Sequence, residues 1–303
     1  ITTLAMSAYL IDLDRPAPGF YAVDSSLTQL SEAEHKAQSE TIKQNFVEYL
    51  IAHARERQVI IVEQSKRMPF VPSESEKDGV HGTLFVADRQ VAGKGRRGRV
   101  WESPKGISIY MTILLRPDLI PTKAPMLTLV MAQSVAEGIR EVTGMETGIK
   151  WPNDIVMNKK KVCGILTEMS TEIDYINYVV IGVGINVNQK VFDEELKEKA
   201  TSLMIETGAP VKRSALIAAV MKHFEINYAL FMENGDLSGL QESYNEMLVN
   251  RGKEVRILEP GNEYNAHAYG INETGELIVR TQKGEEKHIF AGEVSVRGIY
   301  GYV

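Results

Sequence analysis

The stretch that most constrains the fold runs from Ile149 to Val187. Ile149–Trp151, Ile155–Met157, Cys163–Met169 and Tyr178–Val187 are apolar runs of strand length, separated by turns rich in Asn, Asp and Lys. Asn158-Lys-Lys-Lys161 reads as a tight hairpin between two of them. Upstream, residues 82–88 read as a buried strand, and Ile107–Leu115 alternates apolar and polar at its start, as a strand with one face on a core does. Pro117 and Pro121 punctuate the next loop. Residues 124–143 carry apolar residues at helical spacing and end at Gly144. Helices are also expected at Ala215–Phe231 and Leu237–Leu248. Hairpins flanked by helices are an α+β pattern, not the strict βαβ alternation of a doubly wound sheet.

The pattern changes after Asn250. Short strands at Glu254–Leu258, Glu263–Gly270, Glu276–Thr281, Lys287–Phe290 and Val294–Ile299 alternate with turns such as Glu259–Asn262 and Asn272–Gly275. Closely spaced strands of this kind suit a small β-barrel. At 303 residues the chain has room for two domains or three. An apolar share of 44% and a charged share of 24% are those of an ordinary globular protein. The only cysteine, Cys163, excludes an internal disulfide and fits a reducing, cytoplasmic setting; it reads either as a nucleophile or as a small buried filler. The apolar stretches fall short of a membrane span, and the start carries no signal-peptide pattern. The six histidines show no metal-ligand spacing, so no metal site is expected. A net charge of -6 argues against a surface devoted to nucleic acid.

Against that acidic background stands Ala92–Trp101, Ala-Gly-Lys-Gly-Arg-Arg-Gly-Arg-Val-Trp. Three glycines are interleaved with Lys94, Arg96, Arg97 and Arg99. Glycine lets backbone approach a ligand, and guanidinium forks suit carboxylates and phosphates. The segment reads as a cationic loop closing over a small anion; a solvated basic loop or a nucleic-acid patch is the alternative. The chain's two tryptophans divide between this segment and Lys150-Trp-Pro-Asn-Asp154. Lys161-Val-Cys-Gly164-Ile-Leu, Ile181-Gly-Val-Gly-Ile-Asn-Val-Asn188 and Ala291-Gly-Glu-Val-Ser-Val-Arg-Gly298 complete a set of five ordered segments.

Together these segments resemble the biotin protein ligases, also called biotin–[acetyl-CoA-carboxylase] ligases, over about residues 79–303. The resemblance implies an α+β catalytic domain of the biotinyl/lipoyl-ligase, class II synthetase-like type at 79–249. It implies an SH3-like β-barrel at 250–303, with 1–78 left as a segment of unassigned role. It implies ATP-dependent formation of biotinoyl-5′-AMP, with Mg2+ on the triphosphate, and transfer of biotin to a lysine of a biotin carboxyl carrier protein. It is also compatible with a homodimer. Lys161 would bridge the biotin carboxylate and the α-phosphate, Arg96 would reach the acyl-phosphate, and Asp154 would take or orient the proton of the incoming amine. Gln90, Gly93, Lys94, Gly164, Gly182 and Gly184 would lie along biotin, the last two letting strand backbone approach the ureido ring. Arg99, Trp101, Asn153, Asn186 and Arg297 would contact the nucleotide, Trp101 by stacking near the adenine.

The chain departs from the family pattern in two places. Lys94 stands where an arginine is usual, which weakens a bidentate contact. The Ser-Thr-Asn segment expected about two dozen residues before Gln90 is missing, and Val23-Asp-Ser-Ser26, the nearest look-alike, lies too early. Residues 31–56 read as a charged helix and Gln58–Glu63 as a short buried strand. Gly19–Asp24 and Gln58–Glu63 weakly resemble late strands of P-loop ATPases, but no P-loop is present. No helix-turn-helix signature supports DNA binding. A lipoate-type ligase and a biotin-sensing transcription regulator are the alternative functions.

Overall fold

A computed structural model describes residues 59–65, 81–90, 93–98, 100–259, 261–291 and 295–298. The helix expected at 31–56, the Val23–Ser26 segment and Arg99 lie outside the described residues. The first sheet has seven strands: β1 (Val59–Ser65), β2 (Thr83–Gln90), β3 (Ile109–Leu115), β4 (Gly148–Lys150), β5 (Asp154–Met157), β6 (Lys160–Thr171) and β7 (Ile176–Ile185). Their order is β1-β2-β3-β7-β6-β5-β4. Only β1 joins its neighbour in parallel; the other pairs are antiparallel, as hairpin connections require.

The described residues form four α-helices: α1 (Met126–Thr143), between β3 and β4, and α2 (Leu203–Thr207), α3 (Arg213–Asn234) and α4 (Gln241–Met247), after β7. Helix α1 ends where the sequence indicates, with Gly144 left-handed at φ 68° and its N–H on the Arg140 carbonyl. Helices α1 and α3 cover one face of the sheet. Leu127, Val130, Met131 and Val135 meet Leu216, Val220, Phe224 and Phe231 there, over Ile109, Met111 and Ile113 of β3. The 22 residues of α3 are long and apolar enough to cross a bilayer, contrary to the sequence reading, yet its apolar side is spent on this core. The alternate side of β3 was expected to be polar. Instead Tyr110 and Leu114 are buried there in a second cluster with Phe85, Ala87 and Val180. Helix α2 carried no expectation because it is one short turn, capped by Ser202, whose hydroxyl accepts the N–H of Ile205 at 3.2 Å. Helix α4 begins later than expected, since Leu237–Leu240 form a turn instead.

The second sheet is antiparallel throughout: β8 (Lys253–Glu259), β9 (Asn262–Ile271), β10 (Leu277–Thr281), β11 (Glu286–Ile289) and β12 (Ser295–Gly298), in the order β11-β10-β9-β8-β12. Its inward residues, among them Val255, Ile257, Ala266, Leu277 and Val279, run into the same core as the first sheet. Trp151 ties the two together. Its side chain is buried, its indole N–H donates to the Gly275 carbonyl at 3.0 Å, and its backbone N–H donates to Asn250 Oδ1 at 2.9 Å. This is an α+β fold with a C-terminal SH3-like sheet.

The β5–β6 connection is a two-residue turn with Asn158 at φ 45° and Lys159 at φ 65°. Two positive φ values define the mirror-image turn that matches strand twist, and Asn accepts that region better than Lys does. A left-handed non-glycine residue costs about 1–2 kcal/mol, and glycine's extra chain entropy offsets about 0.5–1 of it. Lys159→Gly should therefore raise unfolding stability by about 0.5–1 kcal/mol. Urea titration of both proteins measures it, and a destabilised variant would contradict the turn geometry.

Candidate active site

Lys161 leaves the hairpin at the start of β6, and its ammonium lies 2.6 Å from Asp154 Oδ1 on β5. Both side chains are mostly buried, at 24% and 15% exposure, so the pair is only partly screened. The register sets the contact: Asp154 pairs with Gly164, Ile155 with Cys163 and Val156 with Lys161, so the pairing shifts by one residue at Val162 and brings Lys161 toward Asp154. Asn153 precedes Asp154 and is fixed to β6, donating its amide to the Ile165 carbonyl at 3.0 Å. Arg96 then spans the site. One guanidinium nitrogen donates to Asn153 Oδ1 at 2.9 Å and another to the carbonyl of Ala291, in the turn after β11, at 3.0 Å. Asn186, just past β7, is buried and donates to the Thr201 carbonyl at 3.1 Å.

The glycine-rich segment folds back on itself. The Trp101 N–H donates to the Gly93 carbonyl at 3.0 Å, and Lys94 bridges to Val100. A Cβ at Gly93 would stand 2.4 Å from the Trp101 carbonyl oxygen, so this closure requires glycine. Gln90 is buried at the base of the loop, where it accepts the Ser103 hydroxyl at 3.3 Å. Lys94 is exposed.

The loop delivers the Trp101 indole onto a floor of two glycines. Gly164 of β6 and Gly184 of β7 are direct cross-strand partners. A Cβ on Gly164 would meet Lys161 Nζ at 2.8 Å and the Trp101 ring at 2.9 Å; one on Gly184 would meet the ring at 2.8 Å. Lys161 Nζ sits 5.1 Å from the centroid of the same ring, a cation–π distance. The indole N–H is buried without an acceptor among the described residues. Gly182 lies two residues along β7, opposite Thr112 and Leu166. The second buried cluster continues this face beside Trp101.

These groups open on a cavity of about 720 Å³ lined by Arg96, Trp101, Asn153, Asp154, Lys161 and Asn186. Its far wall comes from residues that the sequence did not single out, chiefly Phe192, Leu196, Lys199 and Ala200. Phe192 and Leu196 are apolar residues four apart in an otherwise charged run, which is the signal that marks them. Gln90, Gly93, Lys94, Gly164, Gly182 and Gly184 are not among its lining residues. Arg297 is on β12, and its side chain lies outside the described residues. Cys163 faces the main core and is fully buried, which pushes its thiol pKa up and leaves it a neutral filler rather than a nucleophile. Among the described residues no three His, Cys, Asp or Glu side chains are grouped to hold a metal.

Comparison with known proteins agrees with this arrangement. Residues 69–186 match the protein-family model described as the biotin/lipoate A/B protein ligase family, and residues 252–297 match the biotin protein ligase C terminal domain. The bifunctional ligase/repressor BirA of Bacillus subtilis is 42% identical over 71% of this chain and 66% of its own length. The match thus spans just under two thirds of that relative. A biotin–[acetyl-CoA-carboxylase] ligase of Paracoccus denitrificans is 30% identical over 69% of this chain and 88% of its own. The chain belongs to the biotin protein ligase family. The biotin protein ligase of Aquifex aeolicus, solved in complex with biotin and ATP, superimposes with a TM-score of 0.70 at 31% identity, covering 80% of this chain and 99% of that one.

In this biotin protein ligase family member the glycine floor and the indole should depend on each other. Gly184→Ala would push the Trp101 ring off its seat, while Trp151 stays buried. Acrylamide quenching of tryptophan fluorescence should increase in the variant. Unchanged quenching would show that the ring does not rest on Gly184.

Proposed function

We propose that this chain is an ATP-dependent ligase that activates biotin as biotinoyl-5′-AMP and transfers it to a lysine of a biotin carboxyl carrier protein. The observation that carries the reading is the Lys161–Asp154 pair beside the Trp101-covered glycines, in a cavity that also presents Arg96, Asn153 and Asn186. We assign residues 79–249 to the catalytic unit and 250–303 to the small barrel.

The first step needs a biotin carboxylate to attack the α-phosphorus of ATP, with pyrophosphate leaving. Two anions repel, so a point cation between them lowers the barrier; Lys161 supplies it. Arg96 adds a second cation by exchanging its Asn153 contact for the acyl-phosphate, and Arg99 a third at the nucleotide. Asn153, Asn186, Trp101 and Arg297 hold the nucleotide, with Phe192 and Leu196 as its apolar wall. Gln90, Gly93, Lys94, Gly164, Gly182 and Gly184 hold biotin along β7 and the loop. Magnesium has no preformed cage among the described residues, and the triphosphate's own oxygens and water would carry most of its coordination.

The second step needs a neutral lysine amine at the acyl carbon, with AMP as the leaving group. While Lys161 holds Asp154, that carboxylate is engaged. Once Lys161 turns to the phosphate, Asp154 Oδ1 accepts the amine proton. The glycine loop with Trp101 covers the mixed anhydride and keeps water from it.

Lys161→Ala removes a cation and little packing. It should slow biotin-dependent ATP–pyrophosphate exchange by about 100-fold or more, equivalent to roughly 3 kcal/mol of transition-state stabilisation. Asp154→Ala should keep more of the exchange and lose the transfer to carrier protein. Near wild-type exchange in Lys161→Ala would contradict the assignment.

A further inference from the structure

The hairpin that carries Lys161 is gripped by a carboxylate that no motif marks. Glu206, in the first turn of α2, accepts the side-chain amide of Asn158 on one oxygen and the hydroxyl of Thr201 on the other. Asn158 is the first residue of the β5–β6 turn. Thr201 follows Ala200 of the cavity wall. Its N–H donates to the Lys161 carbonyl at 2.9 Å, and the Lys161 N–H donates to the Lys199 carbonyl at 2.8 Å. The Thr201 carbonyl in turn accepts the Asn186 amide at 3.1 Å. One carboxylate therefore holds the turn before Lys161 and the strip of chain beside it.

We propose that Glu206 is a positioning residue for Lys161, a role that rests on the ligase reading above. It touches no reacting atom. It acts by fixing the backbone from which the Lys161 ammonium reaches Asp154 and, in the reaction, the acyl-phosphate. The need for such a clamp follows from the turn itself. Both of its residues hold positive φ, a region that lysine disfavours, and the Glu206 contact to Asn158 offsets that cost. Catalytic groups must stand within about 0.5 Å of their working positions, and an error of about 1 Å can cost about 100-fold in rate. Asn186, whose N–H donates to the carbonyl of Val162 beside Lys161, shares the same anchor, so the lysine and the amide are set by one group.

The test is a suppressor experiment read in biotin-dependent ATP–pyrophosphate exchange by the full chain, well below the melting temperature. Glu206→Ala should lower kcat about tenfold or more while the KM for biotin stays within about threefold, because the misplaced group acts in the transition state. Asn158→Asp sets a carboxylate against Glu206 and should lower kcat similarly. Adding Glu206→Gln to Asn158→Asp restores an N–H donor opposite an oxygen and should bring kcat back to within about threefold of wild type. A clamp that served only stability would change the melting temperature and not kcat, and it would give no such recovery. Should Glu206→Ala fail to fold, the exposed Asn158 pair still decides. Unchanged kcat in Asn158→Asp, or no recovery in the double variant, would overturn the role of Glu206. A wild-type chain without biotin-dependent exchange would instead overturn the ligase reading, and this role with it.

Discussion

Strands β6 and β7 meet at Gly164 and Gly184 with no side chain between them, and the site is arranged around that gap. A methyl group at either position would run into the Trp101 ring, and at Gly164 into the Lys161 ammonium as well. The missing side chains let one aromatic ring, one cation and one carboxylate share a patch of sheet that larger residues would fill. The adjoining face is apolar and buried, formed by Phe85, Ala87, Tyr110, Leu114 and Val180. Charge at the edge of an apolar basin, with water excluded, is where electrostatic contacts have their largest effect.

The second dependency is the attachment of this patch to the small barrel. Trp151 is buried where the two sheets meet, and its indole N–H reaches Gly275. The residues that follow it, Asn153 and Asp154, are thereby held at a fixed distance from the C-terminal sheet. Arg96 makes the same connection from the glycine loop through the Ala291 carbonyl. The barrel thus touches the site at two points, although the cavity is lined by the larger sheet and its loops.

Much of this was legible in the sequence. Strand and helix positions followed from apolar periodicity, and Gly144 marked the end of α1 because a left-handed residue is needed there. Lys161, Asp154, Trp101, Gly164, Gly184, Asn153, Asn186 and Arg96, all drawn from the motif segments, fall in one place. What sequence could not show is what depends on tertiary pairing. The burial of Tyr110 and Leu114 comes from a second layer that periodicity in β3 does not report. Arg213 holds the buried Asp88 at 2.8 Å across 125 residues of chain, a pairing without a local signature. Phe192 and Leu196 sit in a charged loop whose place at the cavity is set by tertiary contacts. The seat of the Trp101 ring on Gly164 and Gly184 is likewise a tertiary pairing.

The account depends most on the claim that this cavity joins biotin to an acceptor lysine at the expense of ATP. Intact-mass spectrometry of a biotin carboxyl carrier domain, after incubation with this chain, biotin and ATP, tests it directly. The predicted result is a gain of one biotinyl group on a single lysine, abolished by Lys161→Ala and absent without ATP. An unmodified carrier domain, or equal modification when lipoate replaces biotin, would contradict it.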